Sequence, residues 1–329
     1  MNRTLTAALV LAFGVTALGQ DLKSFDSVLP DLAQDKQELR YTFKKGDKFA
    51  FTLRHGLSVR LDKVPEILQG VVSEDPIEIK FEGVIEAEVA DVAENGSAVL
   101  NGTWRSAKAK GHVMVNDIDF DYDASKKDET KPKKKEDEDP ALAGFGDLQD
   151  QLNKMVRAPL KFSVDPQGKV SMMDSAGKLG EIESAFRSLN GLMGPLPKEK
   201  VGKGDTWKDE LKLGMPGVGG NVDIKIRTQN TIEAVDKVNG EDCLVIKSKF
   251  SVGGKPGEKD EPQPNVEVKI KTEGEGEGKT WFSLAQNRSI KSASALKVKV
   301  TANIPNPGGG DEMELKAVLK IDSSHEFGK

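Results

Sequence analysis

The sequence predicts a fold that is mainly β (α+β), with curved antiparallel sheets made from a duplicated β-meander and two central helices packed on the apolar face. Long segments alternate apolar and polar residues, which is typical of antiparallel strands with one solvated face. Asn-Gly pairs separate some of these segments, and short motifs recur in the same order in both halves of the chain. Helical spacing of apolar residues is found in only a few places.

The first 19 residues have the pattern of a secretory signal peptide. Arg3 is the only charged residue before Asp21, and an apolar stretch between them ends in small residues, which places the cleavage after Gly19. The stretch is too short to span a bilayer, and no cysteine follows it to carry a lipid anchor. We therefore expect an exported protein, periplasmic or extracellular and not integral to the membrane, whose N-terminal segment is residues 20–37.

Charge and cysteine content narrow the class of protein. The chain has 53 acidic and 48 basic residues, a net charge of −5, which argues against a nucleic-acid partner. Acids and bases are interleaved along the predicted strands, so they act mainly as a solvated surface. Cys243 is the only cysteine, so no internal disulfide forms, and its apolar neighbours predict burial as a small hydrophobic residue.

The predicted strands are defined by alternation. Residues 49–61 place one apolar face, interrupted only by His55, opposite a polar face. The same alternation occurs at 77–89, 222–226, 266–270, 296–300 and 313–321. Asn95-Gly96 and Asn239-Gly240 each separate two apolar runs and predict hairpin turns, because this dipeptide adopts positive φ angles readily.

Motifs that recur in order predict an internal duplication. Lys45-Gly46-Asp47 matches Lys203-Gly204-Asp205, and each opens a strand. The segment 85–87 matches 232–234, and 162–164 matches 282–284. We interpret residues 38–172 and 201–325 as two repeats joined by a linking helix and a proline-rich linker at 173–200. Chance recurrence of ordinary strand patterns is the alternative.

Two helices are predicted between the repeats. Residues 141–156 and 175–190 carry apolar stripes at helical spacing, which need an apolar partner, and the dry face of the sheet is the expected one. The stripe residues that we expect to line a ligand site are Phe145, Leu148, Leu152, Ile182 and Phe186. Residues 124–139 contain no large apolar side chain and predict a disordered, charged loop.

A row of carboxylates is the one candidate for metal binding. Asp117, Asp119, Asp121 and Asp123 alternate with apolar residues, so a strand would place all four on one face. The EF-hand pattern fails here, because its glycine and glutamate positions are Tyr122 and Asp128. A solvated strand end is the alternative to a calcium site.

Two further features are candidates for a ligand site. His55 interrupts an apolar strand face, which fits either a ligand contact or a hydrogen-bonded core histidine. Residues 273–278 alternate glutamate with glycine, so Gly274 and Gly276 remove side-chain bulk from one face and allow it to border a concave pocket. A flexible strand end is the alternative. No nucleophile elbow, histidine-cysteine pair or phosphate loop is present, so we expect no enzyme activity and no cofactor.

The chain resembles an uncharacterised family of exported bacterial proteins. The resemblance lies in the segments at 45–49 and 162–170 and in the Pro-Leu-Pro-Lys at 195–198 that leads to Val-Gly-Lys-Gly-Asp-Thr-Trp at 201–207. That family carries no established activity, so the resemblance implies no functional residue. A looser, architectural similarity is to periplasmic lipoprotein carriers, in which a curved half-barrel encloses an acyl chain beneath a helical plug.

These features predict a non-enzymatic exported protein that binds an apolar or lipid-like ligand between the sheet and the two helices. The alternative is a structural or protein-interaction module of the cell envelope without a small-molecule ligand. The two hypotheses differ in whether the dry face encloses a cavity or only a core.

Overall fold

The computed structural model describes residues 36–66, 76–113, 116–126, 152–173, 195–217, 220–256, 269–304, 306 and 309–328. Those residues form twelve strands: β1 (Lys48–Lys63), β2 (Ile77–Val92), β3 (Ala98–Val113), β4 (Asn116–Asp123), β5 (Leu160–Val164), β6 (Val170–Met172), β7 (Thr206–Gly217), β8 (Gly220–Val238), β9 (Glu241–Pro256), β10 (Lys269–Ser283), β11 (Arg288–Ile304) and β12 (Met313–Gly328). The prediction of a mainly β protein is confirmed.

All twelve strands belong to one antiparallel sheet. Its order is β6-β5-β3-β2-β1-β12-β11-β10-β9-β8-β7, and β4 pairs with the part of β3 that β5 leaves free. The sheet is not closed, and β6 and β7 lie at its two edges. The two halves of the chain therefore form one sheet, joined where β1 pairs with β12.

The strands alternate between a buried inner face and a largely solvated outer face, as the sequence predicts. The exception on the outer face is a small buried cluster of Cys243, Val245, Trp281 and Ile290. In β2 the side chains of Ile79, Phe81 and Ile85 are buried, while the intervening Lys80 and Glu82 are exposed. The outer face carries ion pairs between neighbouring strands. An example is Arg54 with Glu82, whose nitrogen and oxygen lie 3.3 Å apart. Exposed pairs of this kind contribute little to stability, so burial of the inner face dominates.

The predicted hairpins are present, but their turns differ. Asn239 and Gly240 form the two-residue turn between β8 and β9, with φ angles of 53° and 84°. The other hairpin, between β2 and β3, is wider and is closed by the Ser97 carbonyl, which accepts from the Ala93 N–H at 2.8 Å.

The Lys-Gly-Asp motif of the first half docks onto a neighbouring strand. The Gly46 N–H donates to the Val89 carbonyl at 2.8 Å, and the Val89 N–H donates to the Asp47 carbonyl at 2.9 Å. The Asp47 carboxylate accepts from the Lys44 N–H at 3.2 Å. The turn is thus fixed to β2 by the backbone and closed by its own aspartate.

The motif of the second half makes the same contacts. The Gly204 N–H donates to the Ile232 carbonyl at 2.9 Å, the Ile232 N–H donates to the Asp205 carbonyl at 3.2 Å, and the Asp205 carboxylate accepts from the Gly202 N–H at 3.0 Å. A bulge follows Ile232, as one follows Val89 in β2. The equivalent of Ile232 is therefore Val89, and the sequence match of 85–87 with 232–234 was four residues out of register.

The prediction of two central helices is not supported. The described helix is limited to residues 152–157, where Leu152, Met155 and Val156 pack into the core. The rest of the helix predicted at 141–156, including Phe145 and Leu148, lies outside the described residues. So does the helix predicted at 175–190 with Ile182 and Phe186, and so do residues 127–139 of the predicted charged loop.

Two apolar clusters occupy the inner face. Cluster 1 includes side chains from outside the sheet that cover its strands: Leu39, Tyr41, Leu152, Met155, Val156, Leu196 and Val201. Cluster 2 is different, because its buried members in the described chain all lie on strands: Leu57, Val59, Ile79, Ile226, Val252, Leu296, Val298, Leu319 and Ile321.

The equivalence of the two Lys-Gly-Asp turns predicts equal effects of substitution. Gly46 and Gly204 have φ angles of 87° and 85°, and a Cβ would meet nothing within 4 Å at either position. We expect Gly46→Ala and Gly204→Ala each to lower the free energy of unfolding by about 1–2 kcal/mol, the cost of a left-handed backbone for an L-residue. Urea unfolding measures this. Clearly unequal losses, or full stability of either variant, would contradict the equivalence.

Candidate functional site

Two neighbouring rows of residues bring polar side chains across the inner face. A row here is a set of directly opposed residues on adjacent strands. The first row is His55, Ser323, Ser294, Gly278, Ser248 and Asn230, on β1, β12, β11, β10, β9 and β8. The second is Leu53, His325, Ser292, Thr280 and Ile246. Their polar members, named here the polar belt, are His55, Asn230, Ser248, Thr280, Ser292, Ser294, Ser323 and His325.

On β1 and on β12 the polar belt lies between the two apolar clusters. Leu53 and the earlier inner-face residues Phe49 and Phe51 of β1 belong to cluster 1, whereas Leu57 and Val59 belong to cluster 2. On β12, Ile321 and Leu319 continue cluster 2 from the belt residue Ser323. The inner face is therefore apolar, then polar, then apolar again.

Both belt histidines share hydrogen bonds with serines. The Nδ1 atom of His55 lies 2.6 Å from the Ser323 hydroxyl oxygen. The Nδ1 atom of His325 lies 2.5 Å from the Ser292 hydroxyl oxygen, and its Nε2 atom lies 3.1 Å from that of Ser289. His325 is therefore held through both ring nitrogens.

Two hydrogen-bonding atoms of the belt are unused by the described residues. The only hydrogen bond of His55 there is through Nδ1, so its Nε2 atom is available, and the side chain is only partly buried. Asn230 is 1% exposed and accepts from the Ser248 hydroxyl at 2.7 Å, while the other end of its amide has no partner among the described residues. A buried amide group without a partner costs about 1–3 kcal/mol.

Desolvation keeps both histidines uncharged at neutral pH, although His325 is buried and His55 only partly so by exposed area. Desolvation lowers the pKa of His55 to about 4. It lowers the pKa of His325 to about 3, with a smaller contribution from the nearby His55. The belt thus combines hydroxyl, amide and neutral imidazole groups.

The glycines of β10 leave the inner face beside the belt without side chains. Gly274 and Gly276 lie opposite Val298 and Leu296 of β11 and are partly exposed on this face, whereas the intervening Glu275 is exposed on the outer face. A Cβ at Gly276 would be closer than van der Waals contact to the Ala295 carbonyl oxygen. The missing side chains therefore allow close approach of β10 and β11 at both residues, and the predicted pocket beside them stays a prediction.

The belt is suited to binding more than to nucleophilic chemistry. Ser323 and Ser292 resemble partners of a serine-histidine pair, but both lie in the middle of paired strands. In the described part of the chain their neighbouring backbone N–H groups belong to the sheet ladder and are not free to stabilise an oxyanion. The arrangement can hold a ligand through neutral hydrogen bonds.

The aspartate row lies on the outer face of β4. Asp119 and Asp121 face Lys110 and Lys108 of β3 at 3.7 and 3.8 Å, and Asp117 lies 2.9 Å from the His112 ring. Asp123 accepts from the Ser125 hydroxyl at 2.7 Å. Within the described ranges no group of three or more potential ligands converges on one point. The structure thus adds no support to the calcium hypothesis.

Cys243 is buried, as predicted. Burial raises the pKa of its thiol to about 11, with smaller contributions from Glu241 and other nearby carboxylates. The thiol is therefore protonated at neutral pH and a poor nucleophile.

In the described segments no helix has the length and apolar character needed to cross a membrane.

Sequence reasoning identified His55 but missed its partners. Ser323 and His325 continue the alternation of residues 313–321, at positions that an apolar pattern alone does not mark. Asn230 likewise follows Ile226 and Thr228 on the same face of β8. The signal that the sequence did offer was a polar residue at a position where the strand alternation calls for an apolar one.

Comparison with known proteins gives no family for this chain. No protein-family model and no curated protein matches it. Among solved structures, DynF from the dynemicin biosynthesis pathway of Micromonospora chersina aligns over 94% of both chains, at 6% identity and a TM-score of 0.18. A loop L8 deletion mutant of OmpT, an outer membrane protein of Vibrio cholerae, aligns over 87% of this chain and 100% of its own, at 12% identity and a TM-score of 0.17. Likeness at this level supports no inference.

Because the folded protein keeps both belt histidines neutral, we predict that it loses stability in mild acid. The unfolded chain takes up protons below a pH of about 6.5, while the folded imidazoles stay neutral down to about pH 4 and 3. The free energy of unfolding then falls by about 1 kcal/mol per pH unit for each histidine between pH 6 and 4.5. Urea titrations at several pH values should show a shallower slope for the double variant His55→Asn, His325→Asn than for the wild type. His112→Asn, on the outer face, is the control. Equal slopes would contradict the assignment.

We predict that replacing glycine by alanine lowers the stability of the protein only where the added Cβ would meet a neighbouring strand. Gly276→Ala should lower the free energy of unfolding by about 1–3 kcal/mol, because the Cβ would overlap the Ala295 carbonyl. Gly253→Ala is the matched control, since a Cβ at Gly253 meets nothing within 4 Å. Similar stability of the two variants in urea unfolding would disprove the close approach at Gly276.

Proposed function

We propose that this protein is an exported, non-enzymatic binding protein that holds an apolar or lipid-like ligand on the inner face of its sheet. The observation that carries the proposal is the polar belt, which divides the inner face and borders cluster 2. Cluster 1 is covered by Leu39, Tyr41, Leu196 and the short helix, whereas the buried members of cluster 2 in the described chain come from strands alone. An apolar surface that ends in hydrogen-bonding groups suits an amphipathic molecule.

The dimensions of the surface fit a long acyl chain. From His55 to Leu61, β1 advances by about 20 Å at about 3.3 Å per residue. The inner-face residues along this path are Leu57 and Val59, and their neighbours on β12 are Ile321 and Leu319. A ligand lying along the strands would have its polar end at the belt and its chain over cluster 2.

Accessible positions on the same face support entry of a ligand. Phe250, Gly274, Gly276, Val300 and Ala317 are partly exposed, although all lie on the inner face. We also propose Phe145, Leu148, Ile182 and Phe186 as ligand contacts, solely because they form apolar stripes at helical spacing in the sequence. It also includes duplication of one meander, which the matching hydrogen bonds of the two Lys-Gly-Asp turns support.

A cell-envelope interaction module is the second candidate. The observation that favours it is the open edge of the sheet at β7, since β7 pairs only with β8 among the described strands. Unpaired backbone groups at an edge can add a strand from a partner. A protein that carries no lipid but retains a partner through β7 would favour this candidate.

Native mass spectrometry and lipid extraction of protein purified without detergent test the binding proposal. We expect a bound lipid-like mass, and uptake of the uncharged dye Nile red by the stripped protein. Ala317→Glu should weaken dye binding about tenfold or more, because it places a charge among the apolar residues of cluster 2.

Lys320→Glu is the matched control, since it changes charge on the exposed outer face of the same strand. It should bind the dye like the wild type. Recovery of only the bare chain, together with no dye uptake by the folded wild type, would refute the proposal.

A further inference from the structure

We infer that the polar end of the ligand is uncharged, as in a fatty alcohol, an acyl ester or an acylglycerol, and that the protein discriminates against the matching carboxylate. The inference rests on the proposed function and specifies its ligand class. Three observations support it: the chemistry of the belt, the composition of the rows around it, and the positions of the two arginines that lie against aromatic rings of cluster 1.

The belt offers only neutral hydrogen-bonding groups. Serine and threonine hydroxyls donate and accept, the Nε2 atom of His55 does either according to its tautomer, and one end of the Asn230 amide is unpaired. Such groups can satisfy a hydroxyl or an ester carbonyl. They cannot balance the charge of a desolvated carboxylate.

Among the described residues from β8 to β2, no charged residue occupies an inner-face register position in the rows of the belt or in the next three rows. Those three rows read, from β1 to β8, Leu57, Ile321, Leu296, Gly276, Phe250 and Thr228; then Val59, Leu319, Val298, Gly274, Val252 and Ile226; then Leu61, Ala317, Val300, Thr272, Gly254 and Ile224. On β2 the rows of His55, Leu53, Leu57 and Val59 continue to Phe81, Gly83, Ile79 and Ile77, and the described pairing of β1 with β2 ends before Leu61. An anion held here would lose hydration without gaining an opposite charge.

The cations that lie against aromatic rings of cluster 1 are too distant to serve the belt. The Arg288 guanidinium lies over the Phe49 ring at 5.9 Å, and Phe49 is four residues, or about 13 Å, before Leu53, the β1 residue of the nearer belt row. The Arg157 guanidinium lies over Tyr122 at 5.8 Å, and Tyr122 is three strands, or about 14 Å, from Leu53 along its row.

Ligands of one chain length test the inference. Hexadecanol, methyl palmitate, palmitate and hexadecane, delivered from cyclodextrin, should displace Nile red from the wild-type protein at pH 8 to different extents. We expect hexadecanol and methyl palmitate to bind about tenfold or more tightly than palmitate, and more tightly than hexadecane. Palmitate binding as tightly as hexadecanol would overturn the inference and leave the proposed function intact. Hexadecane equal to hexadecanol would also overturn it, since the belt would then play no part.

Failure of all four ligands to displace the dye, or to bind by native mass spectrometry, would refute the proposed function itself. His55→Phe adds a residue-level test, because it keeps an aromatic ring stacked near Phe81 while removing the Nε2 atom. We expect its affinity for hexadecanol to fall to that for hexadecane, and His112→Phe on the outer face to behave like the wild type. Unchanged hexadecanol affinity in a folded His55→Phe would contradict the role of the belt, and should that variant not fold, the four-ligand series decides alone.

Discussion

The first and last long strands of the described chain, β1 and β12, lie side by side, and much of the inner face depends on this pairing. It runs in register from Ala50 opposite Gly328 to Leu61 opposite Ala317. Because side chains alternate with a period of two, a slip of one residue would move His325 and Ile321 to the outer face. The pairing therefore joins the two half-sheets, completes cluster 2 and makes the polar belt continuous.

Polar groups at the centre of a dry face are costly, which makes the belt informative. Burial disfavours the charged form of His55 and His325, and their serine partners compensate only through neutral hydrogen bonds. Apolar side chains at the same positions would merge the two clusters into one core. Local departures from an otherwise consistent pattern are expected at functional sites, and this departure extends over six strands.

The local features of the fold were predictable, whereas its long-range pairing was not. Alternation identified the strands, and Asn239-Gly240 marked a tight hairpin, because both depend on neighbouring residues. The adjacency of β1 and β12 depends on side chains far apart in sequence, so the pairing of His55 with Ser323 was not visible. The strand residues that hold the two Lys-Gly-Asp turns, Val89 and Ile232, were also not visible, since they are set by backbone hydrogen bonds rather than by residue type.

Imidazole ¹⁵N chemical shifts of the three histidines test the central claim most directly, because His55, His112 and His325 are the only histidines in the chain. With hexadecanol added at pH 7, the account predicts neutral shifts for His55 and His325, a change at the Nε2 atom of His55, and no change at His112 on the outer face. A protonated His55, or a His55 resonance that does not respond to a ligand shown to bind, would contradict the account.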